Sequence, residues 1–143
     1  HGADVDLLED QPASALISAA ETGNLALVQR VLTENPDLNK RGTVNPKRTA
    51  LMQAAESGHL NIVKTLIAAG ADLTVGDYAD DQALSFAAYH NQSDIVAFLI
   101  EIGAEVNHAS ISNRTPLDHA ERNGSKAAAN VLMSLGAKRG EEL

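Results

Sequence analysis

The sequence predicts an all-α solenoid, a stack of four helix–turn–helix repeats, and three observations carry that reading. One unit recurs at a fixed spacing, small residues fall at the same place in the copies, and the apolar content is aliphatic: 44% of residues are hydrophobic, yet there are only two Phe, two Tyr and no Trp. The clearest copy is Arg48 to Thr74, RTALMQAAESGHLNIVKTLIAAGADLT. Moved by 33 residues, Leu51, Ala54, Ala55, Gly58, Ile62, Val63, Leu66 and Gly70 meet Leu84, Ala87, Ala88, Asn91, Ile95, Val96, Leu99 and Gly103. A further 33 residues on lie Leu117, Ala120, Glu121, Gly124, Ala128, Ala129, Leu132 and Gly136. The first copy lies 35 residues back, at Leu16, Ala19, Ala20, Gly23, Leu27, Val28, Val31 and Asn35. A unit of this length cannot bury its apolar face alone, so stacked neighbours must complete the core.

Each position has a physical reason. Thr49 and Thr115 can cap a helix start with the hydroxyl, and Pro116 suits the first helical position, where no amide donor is needed. The pairs Ala19-Ala20, Ala54-Ala55 and Ala87-Ala88 are small enough for successive first helices to approach closely. Gly58 ends the first helix where a left-handed residue is wanted, with Asn91 as its substitute one repeat later. The second helix then shows helical spacing, as in Ile62, Val63, Leu66 and Ile67.

These residues resemble the ankyrin-repeat family. Its T-P-L-H stretch appears as Thr49-Ala50-Leu51-Met52 and Thr115-Pro116-Leu117-Asp118, and its G-H turn as Gly58-His59. Its G-A-D-V-N ending appears as Gly70-Ala71-Asp72-Leu73-Thr74 and Gly103-Ala104-Glu105-Val106-Asn107. About 130 of the 143 residues are covered. The resemblance implies an ankyrin solenoid of four repeats with protruding loops, non-enzymatic, binding another protein through the loop tips and the groove lined by the first helices.

The expected division is a segment at 1–11 and one repeat domain at 12–143, with repeats near 12–46, 47–79, 80–112 and 113–143. Gly2-Ala3-Asp4-Val5 matches a repeat ending, so residues 1–11 are either the remnant of a preceding repeat or a lead-in whose Leu7 and Leu8 cover the first unit. The last repeat is thinned, with Glu121 for an alanine and Ala127 to Ala129 for bulkier residues, and the tail KRGEEL is expected in solvent.

A net charge of −8 and a pI near 4.9 repel phosphate backbones and anionic membrane surfaces, so neither nucleic acid nor membrane is an expected partner. Absent cysteine removes disulfides, thiolate catalysis and cysteine-held metals. The chain starts at His1 instead of Met, and processing after an export signal would fit a bacterial periplasmic protein, with a cytoplasmic one as the alternative.

No catalytic motif stands out and no cofactor is expected. Asp118 and His119 beside Glu121 come nearest to an acid–base set, but neighbours on a helix point about 100° apart, so the two do not converge, and a solvent face of the last repeat explains them better. His59, His90, His108 and His119 are scattered over three repeats, so no metal site is expected, and His59 is read as bonding backbone next to its turn.

The candidate partner surface is set by register. All four aromatics lie between Tyr78 and Phe98; Phe86 is read as core, whereas Tyr89 and His90 precede a turn and face the groove. Glu21, Glu56, Ser57, Arg122 and Asn123 share that groove register. On the loops, Arg41 stands in the basic stretch KRGTVNPKR, Asp77 and Asp80 flank Tyr78 in the acidic VGDYADDQ, and Ile111 sits on the third tip. Aromatics are enriched where partners bind. The alternative is that Tyr78 packs over a neighbouring loop and Tyr89 over an inner helix.

The expected function is a binding module, monomeric when free, that masks a partner protein in the manner of an inhibitor or immunity protein, the partner being an exported enzyme if the chain is periplasmic. The alternative is an adaptor, or a piece of a longer array, that only tethers partners.

Overall fold

The computed structural model describes residues 2–42 and 48–143, with side chains from Pro12 onward. Among these residues the chain forms α1 (Gly2–Thr22), α2 (Leu25–Leu32), α3 (Ala50–Ser57), α4 (Leu60–Ala68), α5 (Ala83–Tyr89), α6 (Ser93–Glu101), α7 (Pro116–Arg122) and α8 (Lys126–Ser134), and then a 3-10 turn at Gly140–Glu142. They are arranged as four antiparallel pairs with no strand among the described residues, the all-α solenoid that the repeat period predicts. The backbone of α1 is helical from Gly2 through Pro12, so the segment before Pro12 is continuous with the first helix. The side chains of Leu7 and Leu8, and the covering role expected of them, lie outside the described residues.

Local chemistry sets the helix limits. Thr49 accepts a hydrogen bond from the Met52 amide, and Thr115 accepts one from the Asp118 amide while the Asp118 carboxylate returns the bond to the Thr115 amide. The reversal after α3 is made by Gly58 at φ +82°, and Asn91 makes the same turn at φ +59°, in the conformation that asparagine tolerates among residues with a Cβ.

The inner helices α1, α3, α5 and α7 pack on one another along their length, while the outer helices touch much less. The difference comes from the alanine seam: Ala20, Ala54, Ala55, Ala87, Ala88 and Ala120 are completely buried and leave no room between neighbouring inner helices. Behind the seam the core is filled by Leu16, Val28, Ile62, Val63, Leu66, Ile95, Leu99, Leu117 and Leu132. Closer inner helices and splayed outer ones curve the stack, and the inner helices line the concave side.

Two sets of cross-repeat hydrogen bonds fix the register. His59 Nε2 lies 3.3 Å from the Glu21 carbonyl, Gln92 donates to the Glu56 carbonyl at 3.1 Å, and Ser125 donates to the Tyr89 carbonyl at 2.7 Å. These three side chains occupy one repeat position, and each bonds the end of the preceding inner helix. At the other edge Asn39 accepts from the Asp72 amide and Asn107 from the Lys138 amide.

For the last repeat one expectation is corrected and one is narrowed: Lys138, Glu141, Glu142 and Leu143 of the tail are exposed as expected, but the tail is also tied to the stack. The tail folds back: Gly140 is buried against the Asn113 carbonyl, its amide donates to Asp118 at 2.8 Å, and Thr115 donates to the Lys138 carbonyl at 2.7 Å. Arg139 then grips Glu121 through two 2.7 Å bonds. Lys138, Arg139 and Gly140 thus draw the tail onto the end of the stack. Asp118 and His119 are also not on a solvent face, since Asp118 closes this knot and His119 pairs with Asp81 at 2.8 Å.

Burial pushes the Asp118 carboxyl up, but the amides of Thr115 and Gly140, the Thr115 hydroxyl and neighbouring His119 together outweigh it and hold the group below its ordinary value. A depressed carboxyl contributes stability that is complete above its unfolded pKa and is lost as pH falls through its folded pKa. Stability against urea should therefore fall as pH is lowered through and below the ordinary Asp range, and Asp118→Asn should show less of that loss. Leu66→Ala, at a fully buried position, should cost about 2–5 kcal/mol in the same measurement.

Candidate interaction surface

A bowl of about 320 Å³ opens on the concave side between the second loop and the inner helices of the last three repeats, lined by Arg48, Asp77, Asp81, Ser85, Phe86, Tyr89, His90 and His119. Arg48 enters just before α3, and its guanidinium lies 4.5 Å above the Phe86 ring. It also forms an ion pair with Glu56, whose other oxygen is 3.1 Å from His90 Nε2. Across the bowl Asp81 holds His119 at 2.8 Å, and the acceptor carboxylate assigns the ring proton to Nε2. Tyr89 stands between the two groups, edge-on to His90 at 5.0 Å and to His119 at 6.4 Å between centroids.

The two sides of the bowl are one packing relation used twice. Arg48 meets Phe86 and Asp81 meets His119, 38 residues apart in each case, and the second pair sits one 33-residue repeat after the first. The residue before the inner-helix cap reaches the fourth residue of the next inner helix. Phe86 is accordingly buried, as expected of core, but by the Arg48 guanidinium on the groove side.

The loops beside the bowl are internally tied. Asp77 Oδ1 accepts from the amides of Ala79 and Asp81 at 2.9 and 3.0 Å and so shapes its own turn. Asp80, at φ +61°, pairs with His108 at 3.2 Å. Arg41 donates twice to the Gly76 carbonyl, which anchors the first loop to the second. The second and third loops are joined by the Ile111 amide donating to the Ala79 carbonyl at 2.9 Å. Their tips carry Tyr78, 61% exposed, and Ile111, 76% exposed, while Tyr89 on the bowl is 39% exposed.

Of the residues singled out by register, Tyr89, His90 and Asp77 line the bowl and Glu56 braces it; Tyr78, Asp80 and Ile111 stand on the adjoining tips. Asn123 lies behind, donating to the Tyr89 carbonyl at 2.7 Å. Glu21 is on α1, at the junction closed by His59, and Ser57 ends α3 without lining the bowl. Arg122 belongs to a separate hollow with Ser112, Asn113, Arg114, Asp118, Arg139 and Glu141. Arg48, Asp81, Ser85, Phe86 and His119 are the lining residues that groove register alone does not single out.

The family model for ankyrin repeats, described as three copies, matches residues 1–77 and 76–141. Those two matches span nearly the whole chain. The protein belongs to the ankyrin-repeat family. A comparison with curated proteins finds no match. As an ankyrin-repeat protein it is a protein–protein interaction module, in a family that is typically non-enzymatic. Among the described residues no group of three or more His, Asp or Glu side chains could hold a metal, and no helix is long and apolar enough to cross a membrane.

The Arg48–Glu56–His90 brace is testable apart from any partner. Glu56→Ala strands the Arg48 guanidinium beside Phe86 and removes the acceptor for His90. A double-mutant cycle of Glu56→Ala with Arg48→Met, read by denaturant unfolding, should give a coupling of about 1–2 kcal/mol, between that of exposed and of fully buried pairs.

Proposed function

We propose that this ankyrin-repeat protein, monomeric when free, binds and masks the functional surface of one partner protein, acting as an inhibitor or immunity-type protector of an enzyme. The observation that carries the proposal is the continuity of one surface: Tyr78 and Ile111 on two joined loop tips, next to Tyr89 on the lip of the charged bowl. Aromatic and aliphatic anchors around a desolvatable polar centre are the composition of energetic hot spots. The internal ties support it further. Loops already held by Arg41, Asp77, His108 and the Ile111 amide lose little conformational freedom on docking, which favours a rigid, complementary contact.

The geometry of the stack supports the masking reading. A stack of four helix pairs with one curved, protruding face is suited to covering another protein's concave or convex site with its own loops. Tethering, the second reading, would draw on two separate surfaces; the hollow of Arg114, Arg122 and Arg139 at the far end of the inner-helix row is the second surface it would use.

The test is affinity capture with the purified protein, with Tyr78→Ala/Tyr89→Ala as the matched control. A single stoichiometric partner should be retained, its capture should fall by a factor of at least about 30 with the double variant, and its activity should be inhibited on titration. A partner retained equally by the variant, or a retained enzyme whose activity does not change, would overturn the masking reading.

A further inference from the structure

The lining of the bowl carries a more specific reading, which rests on the proposed partner surface. We infer that the bowl is a socket for one cationic side chain, lysine or arginine, presented by the partner protein.

Charge is the first ground. Arg48 is neutralised by Glu56, which also receives His90, so the cation already in the bowl is spoken for. Among the described residues lining the bowl, Arg48 is the one lysine or arginine, beside the carboxylates of Asp77 and Asp81. Each uses Oδ1 inside the protein, Asp77 for the amides of Ala79 and Asp81, and Asp81 for His119. Arg48 against Glu56, Asp77 and Asp81 gives the bowl and its brace one positive and three negative side chains apart from the histidines, in a molecule whose overall charge is −8. A concave site of one sign on a protein of that sign concentrates counter-charge.

The walls are the second ground. Tyr89 lines the bowl beside Phe86, whose ring Arg48 covers, and aromatic faces attract guanidinium and ammonium groups. The protein demonstrates this itself, since Arg48 rests 4.5 Å above Phe86. The Ser85 hydroxyl adds an acceptor.

Size is the third. A volume of about 320 Å³ is at the small end of ligand pockets and matches a single extended side chain better than a folded segment. An anionic side chain would meet two carboxylates, and an apolar one would strip both of water without replacing its hydrogen bonds.

The experiment titrates the ¹⁵N-labelled protein with Nα-acetyl-arginine N-methylamide, its neutral citrulline counterpart and the corresponding glutamate derivative, followed by heteronuclear NMR. The arginine probe should produce saturable shifts at Ser85, Tyr89, His90 and His119, with the citrulline probe weaker by about tenfold, the loss expected when one close charge pair is removed. Asp77→Asn and Asp81→Asn keep the Oδ1 acceptor on which the loop depends while removing charge, and together they should weaken the arginine probe by a similar factor. Equal binding of arginine and citrulline, preference for the glutamate probe, or indifference to the two substitutions would each overturn the socket. Should a substituted protein lose its dispersed spectrum, the comparison of the three probes on the unsubstituted protein decides the question. Failure here remains distinct from failure of the masking reading. A partner captured through Tyr78 and Tyr89 with no arginine selectivity in the bowl leaves masking standing without the socket, and the converse result removes masking while keeping the socket.

Discussion

Close approach of the inner helices is the constraint on which the rest of this molecule depends. It exists because alanine occupies the seam: Ala20, Ala54, Ala55, Ala87, Ala88 and Ala120 are buried completely, and a larger side chain there would either separate the helices or force off-rotamer packing. With the seam closed, the end of each inner helix comes within reach of the turn that follows the next one. His59, Gln92 and Ser125 then bond the carbonyls of Glu21, Glu56 and Tyr89. The chemistry of the bonding side chain changes from imidazole to amide to hydroxyl, while the carbonyl it seeks stays in place. The curvature of the concave face and the position of Tyr89 on it are consequences.

The same constraint explains why charge sits where it does. A residue just before an inner-helix cap is carried to the groove edge, over the next inner helix, and whatever occupies it needs an answer one repeat later. Arg48 is answered by the Phe86 face and by Glu56, and Asp81 is answered by His119. Arg114, the next in the series, has no inner helix beyond α7 to reach among the described residues and lies instead in the hollow shared with Arg122 and Arg139. The bowl is therefore the meeting of two unlike solutions to one packing problem, which gives it an aromatic floor on one side and a carboxylate wall on the other.

The fold was legible in the sequence because a 33-residue period constrains many positions at once, and the caps, turns and seam each follow from a residue type with a single local use, as at Thr115 or Asn91. Part of the candidate surface was legible for the same reason: Tyr89, His90 and Glu56 sit beside a turn whose direction the register gives. Arg48, Asp81 and His119 were not, since their convergence depends on how a loop folds over a helix 38 residues away. The signal was nevertheless present, as the recurrence of a charged or aromatic pair at that separation in two successive repeats. The tail KRGEEL is mostly exposed, as its composition reads, but composition did not show that Asp118, Glu121 and Asn107 have bonding capacity that Gly140, Arg139 and Lys138 take up. Composition reports the average environment of a residue type and not the partners left over by the fold.

The bowl is preformed by the stack, with the Tyr89, His90 and His119 rings already in place in the free protein. The most direct measurement is the nuclear Overhauser effect between the ring protons of Tyr89 and those of His90 and His119 in the free protein. The account predicts cross-peaks to both histidines, matching centroid separations of 5.0 and 6.4 Å. Cross-peaks to neither, with Tyr89 averaging over several rotamers, would contradict it and would mean that the surface is assembled only by the partner.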